Sequence, residues 1–320
     1  MSYDEEVHFR SVEYLRSVAH KSDDVPFMLC ASYHHPHEPF LPPQEYWDLY
    51  EGTEIEIPEF PADPDKTYSL LDRNLNAYHG TRHCNLRDAD GLRRLRRAYY
   101  GLVTYIDDKV GELLDVLQET GLADNTLVVF ASDHGDMLCE KEMVQKRNFY
   151  EWSCRVPLLM RFPDGWKAGT TFATPVSLLD LLPTFCQLAG EEAVLPHDGE
   201  NLLEVMENGT EDRCIFAQAH EAVGVPCIMV RQGHFKYNYI HGNEDQLFDL
   251  ETDPGEWNNL LEDARHGEIA AALRGKILQR FDSERMADEN LESLYRRWYI
   301  RDVMKANGTH WNHSPPLRRS

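Results

Sequence analysis

The chain has 320 residues, 32 of them basic and 55 acidic, for a formal charge of −23. That balance argues against a nucleic-acid partner, whose phosphates demand neutralisation by Lys and Arg, and against an anionic membrane surface; an anionic small molecule held by local cations remains open. No apolar run approaches the roughly 18 residues of a membrane span, Met1-Ser2-Tyr3-Asp4-Glu5-Glu6 lacks the features of a secretory signal, and the seven cysteines form no CxxC pair, so reduced thiols in a cytoplasmic protein are expected.

Residues 4–20 read as an amphipathic helix with Val7, Tyr14, Leu15 and Val18 as its apolar stripe. Residues 26–33, PFMLCASY, predict a buried strand, followed at once by His34-His35-Pro36-His37-Glu38-Pro39-Phe40. Three histidines in four residues at a strand end suit metal ligation or anion binding. A proline-rich surface loop with incidental histidines fits the same residues. Residues 51–90, rich in Pro, Asp, Glu and Asn, read as a long excursion, in which Tyr68, Tyr78 and His79 are expected to pack rather than to face a ligand. From Leu92 to Leu117, apolar residues recur at spacings of three and four, which predicts a helix over 91–119. Its Arg93-Arg94 and Arg96-Arg97 pairs read as a solvated face.

Thr126 to Ala131 is an apolar, β-branched run and predicts a short buried strand, as in a parallel sheet. Asp133, His134 and Asp136 crowd around Gly135 where that strand ends, the place where open α/β sheets bind ligands. A carboxylate and an imidazole there can both bind a metal, and Lys146 offers a positive charge for an anion. The competing reading is a turn capped by Asp133 beside an ordinary loop histidine. Residues 156–162 predict another strand and 176–188 a helix that Pro183 could interrupt. An acidic connector over 190–213 leads to short antiparallel strands over 214–250, with a hairpin at Gln232-Gly233-His234, and then to two helices over 268–306.

Ser132-Asp133-His134-Gly135-Asp136-Met137-Leu138, followed by Lys146 and by Phe149 to Leu158, resembles the sulfatases of the alkaline phosphatase superfamily, most of all the choline-sulfatase branch. His35-Pro36-His37-Glu38-Pro39-Phe40 resembles the H-P-H-D-P-Y of that branch. Gln246-Leu247-Phe248-Asp249-Leu250 with Asp253-Pro254 resembles the family's C-terminal sheet signature, and the tail from His310 to Pro316 resembles the branch's C-terminal extension. The resemblance implies an α/β fold: the later part of an alkaline-phosphatase-like mixed sheet with flanking helices over 1–195, a small antiparallel C-terminal subdomain over 196–285, and a helical tail over 286–320. In that branch the tail reaches a neighbouring subunit, which implies a homo-oligomer.

The same resemblance implies Asp133 and His134 as ligands of a divalent cation, Ca²⁺ or Mg²⁺. It implies Lys146 as a catalytic sulfate contact, His35 as a sulfate contact, and His37 as a sulfate contact or the acid that protonates the leaving alcohol. The implied substrate is a sulfate ester such as choline-O-sulfate, with Tyr68, His220, Glu221 and Trp311 as candidates to surround a quaternary ammonium.

The chain also departs from the family. The family's nucleophile is a formylglycine made from a C/S-x-P-x-R string, and none of the seven cysteines here stands in one. Cys154-Arg155-Val156-Pro157-Leu158 has its proline one position late and no following arginine. Nothing before Pro26 resembles the strand that carries the family's first two metal aspartates. About 200 residues of family length, more than a small domain, have no counterpart upstream. A truncated or split product, incomplete at the metal and inactive alone, is therefore expected. The competing readings are a non-catalytic remnant or partner-binding module, and a phosphoesterase of the same superfamily. Cys139 and Glu142 stand where the family has glycines, which predicts a displaced Lys146 loop.

Overall fold

The computed structural model describes residues 2–21, 25–63, 67–193, 195–209, 213–220 and 224–309. In chain order its elements are α1 (Ser2–Ala19), α2 (Gln44–Asp48), α3 (Leu70–His79), α4 (Ala89–Glu119), β1 (Val128–Ala131), β2 (Met137–Leu138), β3 (Val144–Gln145), α5 (Glu151–Cys154), β4 (Leu158–Arg161), α6 (Leu181–Leu188), α7 (Leu202–Asn208), β5 (Cys214–Ala219), β6 (Cys227–Gln232), β7 (Phe235–Ile240), β8 (Gln246–Asp249), α8 (Gly267–Arg280) and α9 (Ser283–Ala306). They group into two units. The first draws on the described residues within 1–59, 85–132 and 156–170, the second on those within 60–84, 133–155 and 171–320.

In the first unit α1 lies along α4, with Leu15 packed on Val116, Leu117 and Ala123. The buried face of α1 is Asp4, His8, Ser11 and Leu15, whereas the predicted stripe residues Val7, Tyr14 and Val18 are half-buried. Hydrogen bonds decide the face. His8 meets Tyr33 Oη at 3.0 Å and Glu112 Oε2 at 2.8 Å, and a buried polar group with partners costs little. The segment predicted as a buried strand belongs to no ladder among the described residues. Phe27 and Leu29 face the core, while Met28 is 76% exposed. β1 pairs antiparallel with β4, Val128 opposite Arg161 through Ala131 opposite Leu158, rather than lying buried in a parallel array. A short apolar run cannot tell these cases apart, and Leu159 on β4 is 60% exposed. On α4, Arg97 does not join a solvated face. It stacks 4.3 Å over the Trp47 ring and donates to the Trp47 carbonyl at 2.8 Å.

In the second unit β5, β6, β7 and β8 form an antiparallel meander, and Gly233 turns between β6 and β7 at φ 55°, as the hairpin reading expects. Alternation along β6 assigns two cores. Ile228 and Val230 meet Leu273 and Ile277 of α8. Cys227 and Met229 meet Met137, Met143, Phe149 and Tyr150, together with Leu71 and Leu75 of α3. The predicted excursion over 51–90 contains that helix. Ser69 and Asp72 form a capping box at its start and Gly80 ends it in the left-handed region, which are ordinary start and stop signals. Pro183 falls in the first turn of α6, where backbone N–H groups need no helical partner, so the helix is uninterrupted.

No helix among the described residues is long and apolar enough to cross a membrane, and all seven cysteines are free thiols.

Candidate functional site

β1 ends at Ala131 and the chain turns through Asp133-His134-Gly135. Gly135 N donates to the Ser153 carbonyl at 2.8 Å. A Cβ at position 135 would stand 2.1 Å from the Trp152 carbonyl oxygen, so only glycine permits this approach of two backbones. The clamp fixes the two residues before it. Asp133 Oδ1 accepts the His134 N–H at 3.0 Å. His134 Nδ1 lies 2.7 Å from the Gly135 carbonyl, which only accepts, so Nδ1 carries the proton and Nε2 is the lone-pair nitrogen. That nitrogen is 3.7 Å from Asp133 Oδ2, and the Asp133 side chain is 86% exposed. A carboxylate oxygen and an imidazole nitrogen at this separation fit two ligands of one cation at about 2.0–2.6 Å each.

Lys146, half-buried, follows on a loop with unusual backbone. Cys139, Lys141, Glu142, Gln145 and Arg147 all have positive φ, between 52° and 82°, a region that side chains other than glycine enter at a cost. Cys139 and Glu142 thus take up the left-handed conformation that glycines would adopt freely. The loop is anchored by Lys141, which is fully buried. Its Nζ donates to the Glu256 carbonyl at 2.8 Å and sits 3.8 Å from the Trp257 ring centroid and 4.7 Å from that of Tyr150. Burial pushes the Lys141 ammonium down to about 8, against the pull of Glu256, Asp72 and Asp253. Tyr68 Oη donates to the Lys141 carbonyl at 2.5 Å, which ties this tyrosine to the loop.

Below the loop lies a buried charge cluster. Lys236 Nζ contacts Glu151 Oε1 at 2.6 Å, Glu256 Oε1 at 2.9 Å and the Phe149 carbonyl at 2.8 Å. Arg231 meets Glu151 at 3.2 Å. Cys154 donates from Sγ to the Phe149 carbonyl at 3.1 Å, and burial pushes its thiol up to about 11. That is an inert sulfur, in keeping with a string that departs from the nucleophile pattern.

His35 and His37 belong to the first unit. Pro36 and Pro39 each follow a cis peptide bond. Asp4, fully buried at the start of α1, accepts the His34 N–H at 2.6 Å and the His35 N–H at 3.4 Å, and pairs with His35 Nδ1. Burial raises the Asp4 carboxyl, but these hydrogen bonds outweigh it and hold the group below the usual carboxylate range. His35 is buried, with its ring edge-on to Tyr105 at 6.2 Å. His37 is half-exposed, with Nδ1 3.1 Å from both the Glu38 carbonyl and Glu38 Oε2, and its ring 4.9 Å from that of His34.

The structure therefore brings Asp133 and His134 together, places Lys146 on a strained loop of the same unit, and groups the three histidines around Asp4 and Glu38. Of the residues considered around a quaternary ammonium, His220 is partly buried and its imidazole is pushed down by that burial. Glu221, Trp311 and the tail motif His310 to Pro316 lie outside the described residues. Asp4, Lys141, Lys236 and Glu256 escape sequence reasoning, because their partners are distant in the chain. A further cluster, His234, Asp249 and Glu251, has donor atoms within 4.8 Å of one another at the surface; acidic groups gather this way without an ion, and it carries no assignment.

The family model described as Sulfatase matches residues 1–191, and that described as N-sulphoglucosamine sulphohydrolase, C-terminal, matches residues 139–283. The chain is 38% identical over 337 residues to a choline-sulfatase of Rhizobium meliloti, covering 100% of this chain and 64% of that protein. It is 30% identical to an arylsulfatase of Clostridium perfringens, covering 84% and 55%. Among solved structures it resembles a phosphonate monoester hydrolase of Agrobacterium radiobacter at TM-score 0.69 and 23% identity, covering 85% of this chain and 60% of that one. It also resembles a 2-O GAG sulfatase at TM-score 0.65 and 22% identity, covering 91% and 64%. At such identities the structural likeness speaks for the fold alone. The chain spans 55–64% of the length of the two curated relatives.

Proposed function

The chain belongs to the sulfatase family, and from that premise we propose that it supplies the sulfate-contact residues and part of the metal-ligand set of a sulfuric ester hydrolase. The α/β fold with its small antiparallel sheet and C-terminal helices is the one expected of that family. The observation that carries the proposal is the convergence of Asp133 Oδ2 and His134 Nε2, 3.7 Å apart, on a turn that only Gly135 allows.

In this reading Asp133 and His134 hold a divalent cation, Ca²⁺ or Mg²⁺, as two of its six or so ligands. When bound, such an ion neutralises charge on sulfuryl oxygens. Lys146, in the second unit, offers its ammonium to sulfuryl oxygens; in the first unit, His35 offers a sulfate contact, and His37 a sulfate contact or the proton for a departing alcohol. None of the seven cysteines lies in a C-x-P-x-R string, the serine string Ser314-Pro315-Pro316-Leu317-Arg318 lies outside the described residues, and Cys154 is a buried thiol, so no attacking step is assigned. The 38% identical relative is named a choline-sulfatase, and a cationic choline group suits a chain of net charge −23; both favour choline-O-sulfate as the ester. Self-association through the C-terminal tail belongs to the same proposal, and sedimentation would test it.

The decisive experiment is calorimetric titration of the purified chain with choline-O-sulfate in Ca²⁺ or Mg²⁺, with free sulfate measured in parallel. Saturable binding without sulfate release is expected, weakened at least tenfold by Lys146→Ala. Folded protein that binds nothing with either cation would sink the reading, and tighter binding of phosphocholine than of choline-O-sulfate would favour a phosphoesterase.

A further inference from the structure

We propose that Asp4 is a positioning residue for His35, fixing the ring with Nδ1 protonated so that Nε2 is the nitrogen offered to a sulfate oxygen. The proposal rests on the reading of His35 as a sulfate contact, and it adds a residue from a helix that carries no other part of the site. Asp4 is the first inward-facing residue of α1 and is fully buried. Its three contacts on the histidine loop are all donors: the His34 N–H, the His35 N–H and the His35 ring. These bonds keep the carboxyl below its ordinary range despite burial, and an ionised carboxylate only accepts. Nδ1 must therefore be the donor, and a further proton can enter the ring only at Nε2. Such a proton turns Nε2 into the charged donor that a sulfuryl oxygen requires.

The surroundings hold the ring in place. Tyr105 stands edge-on to it and donates from Oη to Glu5 Oε1 at 2.8 Å. Lys109 closes on Glu5 at 3.4 Å, and His8 bridges Tyr33 and Glu112 on the next turn of α1. The charged and titratable groups around the dyad are thus Glu5, His8, Tyr33, His34, Tyr105, Lys109 and Glu112, most of them tied to one another. Asp4 is the one carboxylate that meets the His35 ring among the described contacts.

Asn at position 4 would invert the logic. With Oδ1 keeping the 2.6 Å bond from the His34 N–H, the amide nitrogen takes the place of the oxygen at the His35 ring; only the lone-pair form of Nδ1 can receive it, so the proton moves to Nε2 in the neutral ring. This is the wrong-tautomer effect of a carboxylate-to-amide change beside a histidine.

The test is long-range ¹H–¹⁵N NMR of the histidine rings in the full chain, with His35→Gln identifying the signals. Wild type is expected to show a protonated-type shift at Nδ1 and a lone-pair shift at Nε2, and Asp4→Asn to exchange them. A wild-type ring protonated at Nε2 when neutral overturns the proposal without any variant, should Asp4→Asn fail to fold. In a titration with inorganic sulfate in Ca²⁺, Nε2 is expected to respond. Asp4→Asn should raise the sulfate dissociation constant about tenfold, and Asp4→Asn with His35→Gln should be no weaker than His35→Gln alone. A purely structural Asp4 would add its own loss to the double variant, which would overturn the proposal. The expected tautomer with no response of Nε2 to sulfate would instead sink the sulfate role of His35, leaving the hold of Asp4 on the ring intact.

Discussion

Lys236 Nζ lies 2.9 Å from Glu256 Oε1, and neither side chain is exposed to solvent. The pair joins β7 to the segment after β8, and with Glu151 at 2.6 Å it reaches the residues that follow the Lys146 loop. Burial works against the Lys236 ammonium, and Cys154, Glu256 and Glu151 more than restore it.

Lys236→Met would leave the buried Glu256 and the partly buried Glu151 without their shared cation. Breaking a buried pair from one side costs about 3–5 kcal/mol. Glu256→Gln keeps the shape and one acceptor, so a smaller loss of about 1–3 kcal/mol is expected. Urea denaturation at neutral pH checks both, and a loss under about 1 kcal/mol for Lys236→Met would show that the cluster does not hold the second unit together.

Lys141 gives a pH dependence of the opposite kind. Its folded value is pushed down to about 8 from 10.5, so between those values the unfolded chain binds the extra proton. Stability then rises with pH across that window, by at most about 3 kcal/mol at roughly 1.4 kcal/mol per pH unit. Below about 8 the buried charge is a constant cost. Lys141→Met is therefore expected to leave stability at pH 7 unchanged or slightly higher and to abolish the rise. Urea midpoints at pH 7 and 9.5 measure it; a wild-type midpoint that stays level or falls between them refutes the assignment.

Much of this could be read from the residues, and the exceptions share a cause. The α4 periodicity, the hairpin at Gly233 and the strand end before Asp133 are local signals, and all three appear where expected. Asp4 and His8 were not legible as buried, because what makes their burial tolerable comes from His35 and Glu112, 31 and 104 residues away. Lys236 looks like any strand lysine until Glu151 and Glu256 are placed beside it. The direction of β1 was not legible either, since its partner β4 is a separate short strand and an apolar run serves either sense of pairing. The helix Leu70–His79 was legible and passed over: its capping box and terminal glycine stand in a stretch whose polar composition hides them.

The loop that carries Lys146 stores strain that glycine would release. Glu142, at φ 54°, is half-buried, and its Oε2 accepts a long hydrogen bond, 3.3 Å, from Tyr68 Oη. Glu142→Gly removes a left-handed penalty of about 1–2 kcal/mol and gives back about 0.5–1 kcal/mol of chain entropy. A net gain of about 0.5 kcal/mol is expected. Cys139 is buried as well as left-handed, so Cys139→Gly also loses packing and should come out near zero. Thermal melts of the two variants separate these outcomes, and a clear loss at Glu142→Gly would mean that its side chain does more than occupy a strained position.

Gly135 links backbone geometry to the proposed cation. A methyl group at 135 would collide with the Trp152 carbonyl at 2.1 Å, and because the obstacle is backbone, no side chain can swing aside. Gly135→Ala must push the turn away from residues 152–153, breaking the 2.8 Å bond from Gly135 N to the Ser153 carbonyl and moving Asp133 relative to His134. In wild type, Ca²⁺ or Mg²⁺ at a hundred times its dissociation constant should stabilise the fold by about 2.7 kcal/mol. Asp133→Asn and His134→Gln should remove that cation-dependent gain while changing the cation-free melt little, since the Asp133 side chain is exposed and the His134 ring is only partly covered. Gly135→Ala should both lower the cation-free melt and remove the gain. Melting curves with and without each cation distinguish the three, and an undiminished gain in Asp133→Asn would place the cation elsewhere in the chain.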